Sequence, residues 1–317
     1  PAPTHGPLRR GGRRRLRCHV RRRAGDVQRL GAAGACVHRR RRARLCAHPV
    51  LDPALPQQDP ALARAAVEDL VEDLAAPQAL AVDAAGGKLY WSDVGTLEDR
   101  LRRANLDGSD AEDLLAGVSS WGLAVDPEGE RLYWSDANSG QIRRANLDGS
   151  GAEDLLAVAA EDPAGIALDV QGGRVFWCEQ GGEGAGAIMA ARLDGSGAEV
   201  LVAGLTYPRG LALDPGGRRL YWTDGGTFMI QSCGLDGGHV ANVTERGSLR
   251  DPHGLAVDPA GGWLYWGVTG MVYPKRKSSA APNSTGLIQR ARLDGSGVED
   301  VVDVGVRARP VALALAA

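Results

Sequence analysis

Short segments in which apolar and polar residues alternate follow one another along most of the chain. In the clearest copy these segments cover residues 122–126, 131–136, 141–147 and 152–157. Pro127 and Gly129 favour a tight turn after the first segment, and Asp148-Gly149 favours a hairpin before the last. Alternation with a period of two is typical of β-strands, and helical spacing is absent from this copy. The pattern therefore predicts a four-stranded antiparallel meander.

The meander recurs along the chain, and an aromatic pair marks the centre of each copy. The pairs begin at Tyr90, Tyr133, Phe176, Tyr221 and Tyr265, with spacings of 43, 43, 45 and 44 residues. This period is typical of propeller blades, whereas helical repeats recur about every 33–34 residues. We predict that the motif residues pack between blades; they are Tyr90, Trp91, Asp93, Tyr133, Trp134, Asp136, Phe176, Trp177, Tyr221, Trp222, Asp224, Tyr265 and Trp266.

These copies resemble the class B, or YWTD, repeats of the low-density lipoprotein receptor family. The resemblance covers residues 65–317 and implies a six-bladed β-propeller that binds protein ligands on one face. The third copy, Phe-Trp-Cys-Glu, and the fifth, Tyr-Trp-Gly-Val, depart from the family motif. A role carried by the motif Asp is therefore in question at Val268.

The start of the first strand gives a second estimate of the blade number. A Pro-x-Gly-Leu-Ala-like pattern occurs six times, with x being Gln78, Trp121, Ala164, Arg209, His253 and Val311. We therefore predict an all-β fold, a six-bladed propeller of four-stranded antiparallel blades whose sixth blade is incomplete, and we expect the natural chain to continue beyond Ala317. Residues 67–71 fit the outer strand of that blade, but Val67, Leu70, Val71 and Leu74 also fit a helix, and both alternatives stay open.

The charge distribution divides the chain into two parts. Residues 1–50 hold 15 Arg, no Lys and one acid, whereas the other 267 residues hold 22 basic and 38 acidic side chains. We predict an Arg-rich low-complexity segment over residues 1–62, disordered or translated from a wrong frame, and a propeller over residues 63–317 with five full blades and part of a sixth. Arg runs can bind phosphates, but Lys and aromatic residues are absent there, so we do not expect nucleic-acid binding.

The cysteines and hydropathy exclude several classes of protein. Five Cys with no regular spacing and no C-x-x-C pair do not form a disulfide framework or a zinc site. No apolar run approaches the ~20 residues of a membrane span, and no signal-peptide core is visible. The resemblance favours an extracellular or cell-surface location, which two N-glycosylation sequons, at Asn242 and Asn283, support weakly. Nothing in the pattern indicates an oligomeric state.

Candidate catalytic and metal-binding motifs have simpler structural explanations. Asp residues recur at the end of each first strand, where they can cap turns or bind calcium; they are Asp83, Asp126, Asp169, Asp214 and Asp258. The run of a calcium-binding EF-hand is absent. Gly182, Gly184 and Ala187 match a dinucleotide-binding spacing, but a strand and not a helix follows them. Because no nucleophile–base motif occurs, we predict no catalytic residue, metal or cofactor, and a protein that is not an enzyme.

The predicted topology places the six variable x positions on one face, around the central channel. On that face the fifth copy has an enlarged loop, with 28 residues from Trp266 to Asp294 against 14 in the second copy. Loops on a rigid scaffold commonly carry recognition. The predicted ligand-binding face comprises Trp121, Tyr207, Arg209, His253, Met271 and Tyr273.

We therefore expect a receptor-like, non-enzymatic module that binds a protein or peptide. The alternatives are a calcium-dependent, lactonase-like propeller hydrolase and a degenerate fragment without a function of its own. A calcium-dependent hydrolase needs several acidic or amide side chains converging on the axis. The predicted ring of x positions contains no acid, which counts against the hydrolase.

Overall fold

A computed structural model describes residues 34–39, 43–48, 68–95, 98–158, 162–269, 285–306 and 309–315. The regular elements in these ranges are β-strands. In chain order they are β1 (Gly34–Arg39), β2 (Ala43–His48), β3 (Glu68–Leu74), β4 (Pro77–Asp83), β5 (Lys88–Asp93), β6 (Arg100–Asn105), β7 (Glu112–Ala116), β8 (Ser120–Asp126), β9 (Arg131–Asp136), β10 (Gln141–Asn146), β11 (Glu153–Ala157), β12 (Pro163–Asp169), β13 (Arg174–Glu179), β14 (Gly186–Arg192), β15 (Glu199–Leu205), β16 (Pro208–Asp214), β17 (Arg219–Asp224), β18 (Met229–Gly234), β19 (Ala241–Asn242), β20 (Pro252–Asp258), β21 (Trp263–Val268), β22 (Thr285–Arg292), β23 (Glu299–Val306) and β24 (Arg309–Leu315).

Five blades are antiparallel meanders of four consecutive strands. They are β4–β7, β8–β11, β12–β15, β16–β19 and β20–β23, referred to below as blades one to five. The second copy shows how the sequence specifies this arrangement, because Tyr133 and Trp134 lie on β9, opposite Ala124 and Leu123 of β8. Alternating apolar residues face the neighbouring blades on both sides, which is why a blade cannot bury its surfaces alone.

A closing sheet completes the circle, and it corrects the predicted fold class. We predicted a six-bladed propeller with an incomplete sixth blade, but the structure shows five blades of consecutive strands. They are closed by a sheet in the order β24-β1-β2-β3, which lacks no strand and joins the two ends of the described chain. Val37 of β1 pairs with Ala312 of β24, and Leu45 of β2 pairs with Val71 of β3.

The strands missing from the prediction lie in the Arg-rich segment. β1 and β2 contain no aromatic pair, and Arg residues obscure their alternation, so the repeat pattern could not find them. Residues 68–74 form a strand, so the helix alternative for this segment is wrong. The remainder of the predicted segment 1–62, including residues 1–33 and 49–62, lies outside the described residues. The domain boundary at residue 62 stays a prediction.

The core lies between blades, where four of the five motif Trp residues meet the aromatic residue of the preceding blade and Trp91 meets Leu45 of the closing sheet. Trp134 clusters with Tyr90, and Trp177 clusters with Tyr133. The same arrangement joins Trp222 to Phe176 and Trp266 to Tyr221. All five motif Trp side chains are at most 1% exposed. Burying one aromatic side chain removes about 150–250 Å² from water and contributes roughly 4–6 kcal/mol before entropy is counted.

Arginines on the third strands link neighbouring blades through the backbone. The Arg103 guanidinium donates to the Leu147 carbonyl oxygen at 2.9 Å, and that of Arg144 donates to the Leu193 carbonyl oxygen at 2.8 Å. Each of these carbonyls belongs to the next blade. Because an Arg has five donors in a fixed plane, it can hold its own outer strand and a neighbouring blade together.

In the described part of the chain, no helix is long and apolar enough to cross a bilayer.

Candidate ligand-binding face

The first strands of the five blades and β24 form a closed ring around the channel. At the start of these strands, the six variable x positions predicted from the sequence surround one cavity of about 90 Å³. They are Gln78, Trp121, Ala164, Arg209, His253 and Val311. Gln180, at the end of β13, also lines this cavity and was not predicted. We call this end of the propeller the mouth.

Glycines let the first strands approach one another closely. A Cβ on Gly122 would lie 2.3 Å from the Ala164 carbonyl oxygen of the next blade. A Cβ on Gly165 would lie 2.2 Å from the carbonyl oxygen of Arg209, and one on Gly210 would lie 2.6 Å from that of His253. Because the opposing atoms belong to the backbone, they cannot move aside as a flexible side chain would. The glycine after each of these x residues thus keeps the channel narrow.

The third residue of the aromatic motif holds the mouth residues of the next blade. The Ser135 hydroxyl donates to the carbonyl oxygen of Ala164 at 2.6 Å. The Thr223 hydroxyl donates to that of His253 at 2.8 Å. Blade three has Cys178 at this position, and burial raises the pKa of its thiol far above the usual value. The sequence analysis assigned no role to this motif position, although Ser or Thr recurs there in three of the five copies.

The motif acids cap backbone groups near the mouth. Asp224 accepts hydrogen bonds from the backbone N–H groups of Gly226 and Thr227, at 2.9 and 2.8 Å, and from that of Thr206, at 3.0 Å. Asp136 accepts one from the N–H of Asn138 at 3.1 Å. These carboxylates therefore shape the loops between the second and third strands.

Blade five lacks the motif acid, and a carboxylate from the adjacent strand start lies near that position. Val268 pairs with Pro252, and Asp251 immediately precedes this proline. Asp251 is 1% exposed and accepts a hydrogen bond from the Thr269 hydroxyl. Its other carboxylate oxygen accepts one from Arg209 at 2.7 Å. Blade five therefore has a carboxylate near the position of the missing motif Asp. Unlike the motif acids described above, this carboxylate of Asp251 also binds a mouth residue, Arg209.

Asp251, Arg209 and His253 form a charged network at the mouth. The Nε2 atom of His253 lies 3.4 Å from Oδ2 of Asp251 and 2.8 Å from Nη1 of Arg209. Burial acts to raise the pKa of Asp251, but hydrogen bonds and charges from His253, Thr269 and Arg209 together hold it well below its usual range. The carboxylate is therefore ionised at neutral pH.

Arg209 has a restricted geometry. One of its terminal nitrogens contacts both Asp251 and His253, and the guanidinium lies over Gly225. A Cβ on Gly225 would lie 2.7 Å from both Cζ and Nε of Arg209. The side chain is thus fixed between the network and a backbone surface, and 21% of it is exposed at the mouth.

Two predicted aromatic residues are exposed at the mouth. Trp121 is 45% exposed and Tyr207 is 44% exposed. The Tyr207 hydroxyl lies 4.0 Å from the Cβ position of Gly182, in the loop between β13 and β14. Tyr207 therefore leans over the loop of the preceding blade at the same end of the propeller. Met271 and Tyr273 lie outside the described residues, so their placement stays a prediction.

The recurring Asp residues at the ends of the first strands have backbone partners. A carboxylate oxygen of Asp83 accepts a hydrogen bond from the Gly86 N–H at 2.7 Å, and one of Asp126 accepts from the Gly129 N–H at 2.9 Å. Asp169, Asp214 and Asp258 repeat this contact. Within the described ranges no group of three or more His, Cys, Asp or Glu is placed to hold a metal ion. Turn capping accounts for these carboxylates.

The glycine-rich segment around residue 182 is a loop. Gly181, Gly182 and Gly184 have positive φ angles, which other residues rarely adopt. Strand β14 follows directly, at Gly186. A dinucleotide fingerprint requires a helix whose N-terminus meets the phosphates, so this spacing does not provide such a site.

Comparison with known families supports the predicted resemblance. The model of the low-density lipoprotein receptor repeat class B matches residues 130–170 and 218–259. The chain thus contains class B repeats, as the aromatic motifs indicated. No curated protein matches the chain.

Solved structures share the fold at low sequence identity. A chain in a crystal structure of the nidogen/laminin complex is similar with a TM-score of 0.73 and 18% identity, over 90% of this chain and 98% of that one. TolB from Acinetobacter baumannii has a TM-score of 0.68 and 13% identity, over 90% and 67% of the two chains. A gluconolactonase from Xanthomonas campestris has a TM-score of 0.58 and 21% identity, over 74% and 78%.

Proposed function

We propose that this propeller, which contains low-density lipoprotein receptor class B repeats, is a non-enzymatic module that binds a protein or peptide at its mouth. The observation that carries the proposal is the concentration of Trp121, Tyr207, Arg209 and His253 at one end of the channel. Unlike the motif aromatics, these residues differ between blades. Packing shared by the repeats therefore does not dictate them.

The exposed aromatic residues support binding at the mouth. Among the described residues, five large hydrophobic side chains are exposed, and only Trp121 and Tyr207 of these are aromatic. Both lie at the mouth, whereas Val200 and Val298 lie on or beside outer strands. Trp, Tyr and Arg are the residues most enriched among energetic hot spots of protein interfaces. The mouth therefore has the composition of an interface centre.

The fixed geometry of Arg209 lowers the cost of binding. Ordering a mobile side chain at an interface costs about 0.5–1.5 kcal/mol. Asp251 already accepts a hydrogen bond from the Arg209 guanidinium before a ligand arrives, and His253 lies against it. A ligand that contacts Arg209 would therefore lose less binding free energy to ordering than one that contacts an unrestrained surface Arg.

A protein complex among the structural neighbours agrees with this proposal. The neighbour from the nidogen/laminin structure was solved as part of a complex. At 18% identity this likeness shows the fold, and a similar mode of use in this chain is part of our proposal. We likewise propose an extracellular or cell-surface location, which class B repeats favour.

A peptide-display experiment tests the proposal directly. The immobilised propeller is panned against a phage-displayed random peptide library, and the affinities of enriched peptides are measured by titration. We expect Trp121→Ala and Tyr207→Ala each to weaken binding by a factor of ten or more, since loss of a hot spot costs about 2 kcal/mol or more. Val200→Ala and Val298→Ala, which truncate exposed residues away from the mouth, serve as controls and should leave affinity unchanged. Equal affinity in all five proteins would contradict the assignment of the mouth.

The gluconolactonase neighbour makes a hydrolase the second candidate. Such an enzyme would need metal ligands at the channel, but none of the six ring residues is acidic. The nearby Asp251 is held by Arg209 and Thr269. We expect added calcium to leave the melting temperature unchanged and simple lactones to remain unhydrolysed. A calcium-dependent rise in melting temperature together with lactone hydrolysis would favour the enzyme instead.

A further inference from the structure

We propose that Asn242, on the outer strand of blade four, carries an N-linked glycan. This inference rests on the extracellular placement proposed above, and it does not depend on ligand binding at the mouth. Asn242 begins the sequon Asn-Val-Thr, which ends at Thr244. A three-residue sequon alone is weak support, so the argument depends on how this one departs from the other blades.

Comparison of strand registers shows that Asn242 replaces an acid. Asn242 pairs with Gln231 of β18. In four of the other five sheets the corresponding residue on the outer strand is an acid: Asp113 in blade one, Asp154 in blade two, Asp300 in blade five and Asp69 in the closing sheet. Blade three has Val200 at this position. The partner differs as well, because blades one and two have an Arg where blade four has Gln231. Blade four thus has a neutral amide pair where these blades have an ion pair.

The second departure occurs two residues later, at Thr244. The other outer strands place an apolar residue here; these are Val71, Leu115, Leu156, Val202 and Val302. Thr244 is 7% exposed, and its hydroxyl accepts a hydrogen bond from the Ile230 N–H at 2.9 Å. A buried hydroxyl without a partner would cost about 1–3 kcal/mol, so this bond lets the fold accept a Thr in an apolar position. Two departures from the repeat therefore combine to create one sequon.

The surroundings of Asn242 can accommodate a glycan. Asn242 is exposed, and its Oδ1 atom accepts a hydrogen bond from Gln231 at 3.0 Å, whereas a glycan is attached through Nδ2. Strand β19 has two residues, whereas the other outer strands have five to eight. Val240, two residues away, is 50% exposed. Exposed sheet edges with apolar residues favour association between chains, and a glycan at Asn242 would cover this edge.

The modification is a group transfer from a lipid-linked oligosaccharide pyrophosphate, the donor used in the secretory pathway. The Asn242 Nδ2 atom attacks the anomeric carbon of the first sugar, which forms a C–N bond. The bond between that carbon and the pyrophosphate oxygen breaks, and the lipid pyrophosphate leaves with the electron pair. The amide nitrogen loses one proton, so atoms and charge balance. This reaction requires Nδ2 and the hydroxyl of Thr244, both supplied by the sequon.

The test compares single variants of the whole chain, expressed behind a heterologous signal sequence in cultured animal cells. Lysate and medium are both treated with a peptide N-glycosidase, and glycosylated sites are identified by mass spectrometry. Asn242→Gln should remove one glycan. Thr244→Ser should retain it, because Ser keeps both the sequon and the hydroxyl. Thr244→Val should remove it while restoring the residue type of the other blades, which separates loss of the sequon from loss of folding.

The second sequon provides the control. Asn283→Gln removes that sequon and should leave modification at Asn242 unchanged. An unmodified Asn242 in protein from both lysate and medium would overturn the inference, as would a glycan count that Asn242→Gln does not alter. Neither result would bear on the proposed mouth, since peptide affinity is measured separately. Loss of peptide binding with Asn242 fully glycosylated would reject the binding function alone.

Discussion

Replacing Gly210 with Ala tests the close approach of the first strands around the channel. The added Cβ would lie 2.6 Å from the His253 carbonyl oxygen and 2.8 Å from the Leu255 nitrogen. An ordinary contact of 3.4 Å would require the His253 backbone to move by about 0.8 Å. Overpacking of this kind costs typically 1–3 kcal/mol. Since Gly→Ala otherwise stabilises a protein by about 0.4–1 kcal/mol through the unfolded state, we expect a net loss of roughly 1–2 kcal/mol.

Gly216, on the turn of the same blade, provides a matched control. Its Cβ position has one neighbour within 4 Å, Oδ1 of Asp214, at 3.6 Å. Because no overpacking opposes the unfolded-state effect there, Gly216→Ala should raise the free energy of unfolding by up to about 1 kcal/mol. Urea unfolding followed by tryptophan fluorescence measures both variants against the wild type. The same sign of change in the two variants would refute the proposed backbone contact at Gly210.

Three further substitutions probe buried side chains. Asp251→Asn should lower the free energy of unfolding at pH 7. Because the folded-state pKa of Asp251 is lowered, its contribution to stability is fully present above the unfolded pKa of about 3.9 and is lost progressively as the pH falls below that value. Urea unfolding at several pH values should therefore show the stabilities of the variant and the wild type converging below about pH 4. Cys178→Ser should leave stability unchanged or raise it, because its hydroxyl can donate to the Arg209 carbonyl as Ser135 donates to that of Ala164. Cys178 and Cys233 lie in the same apolar cluster, but the position of Cys233 is Ala in the other four blades. Cys233→Ser should therefore cost about 1–3 kcal/mol in the same assay, and equal losses for the two variants would contradict this reasoning.

The repeat itself made most of the fold predictable. An aromatic pair on each second strand and turn residues on either side placed the strands of blade two within one or two residues of their observed bounds. The six variable positions came together around one cavity because each occupies the same place in its strand. A repeated pattern transfers such positions from one blade to the next, which explains why the mouth could be located without coordinates.

Features outside the repeat were not predictable in the same way. β1 and β2 pair with a strand from the far end of the chain, and their own sequence carries neither the aromatic pair nor clear alternation. Asp251 was missed because it precedes a first strand, while the motif acid would have been the last residue of a second strand, at position 268. The sequence did contain one signal for Asp251. The start of a first strand pairs with the end of the second strand in each blade, so an acid next to Pro252 lies beside Val268, which occupies the position of the motif acid.

The closing sheet has a consequence for how the protein is made. Val37 pairs with Ala312, so 275 positions of chain separate these two partners. A ribosome produces β1 and β2 before β24, so these two strands must wait through the synthesis of the five intervening blades before their inner neighbour exists. Unpaired strand edges in such an intermediate are prone to aggregation. Nascent chains of this protein are therefore expected to rely on chaperones until β24 has been synthesised.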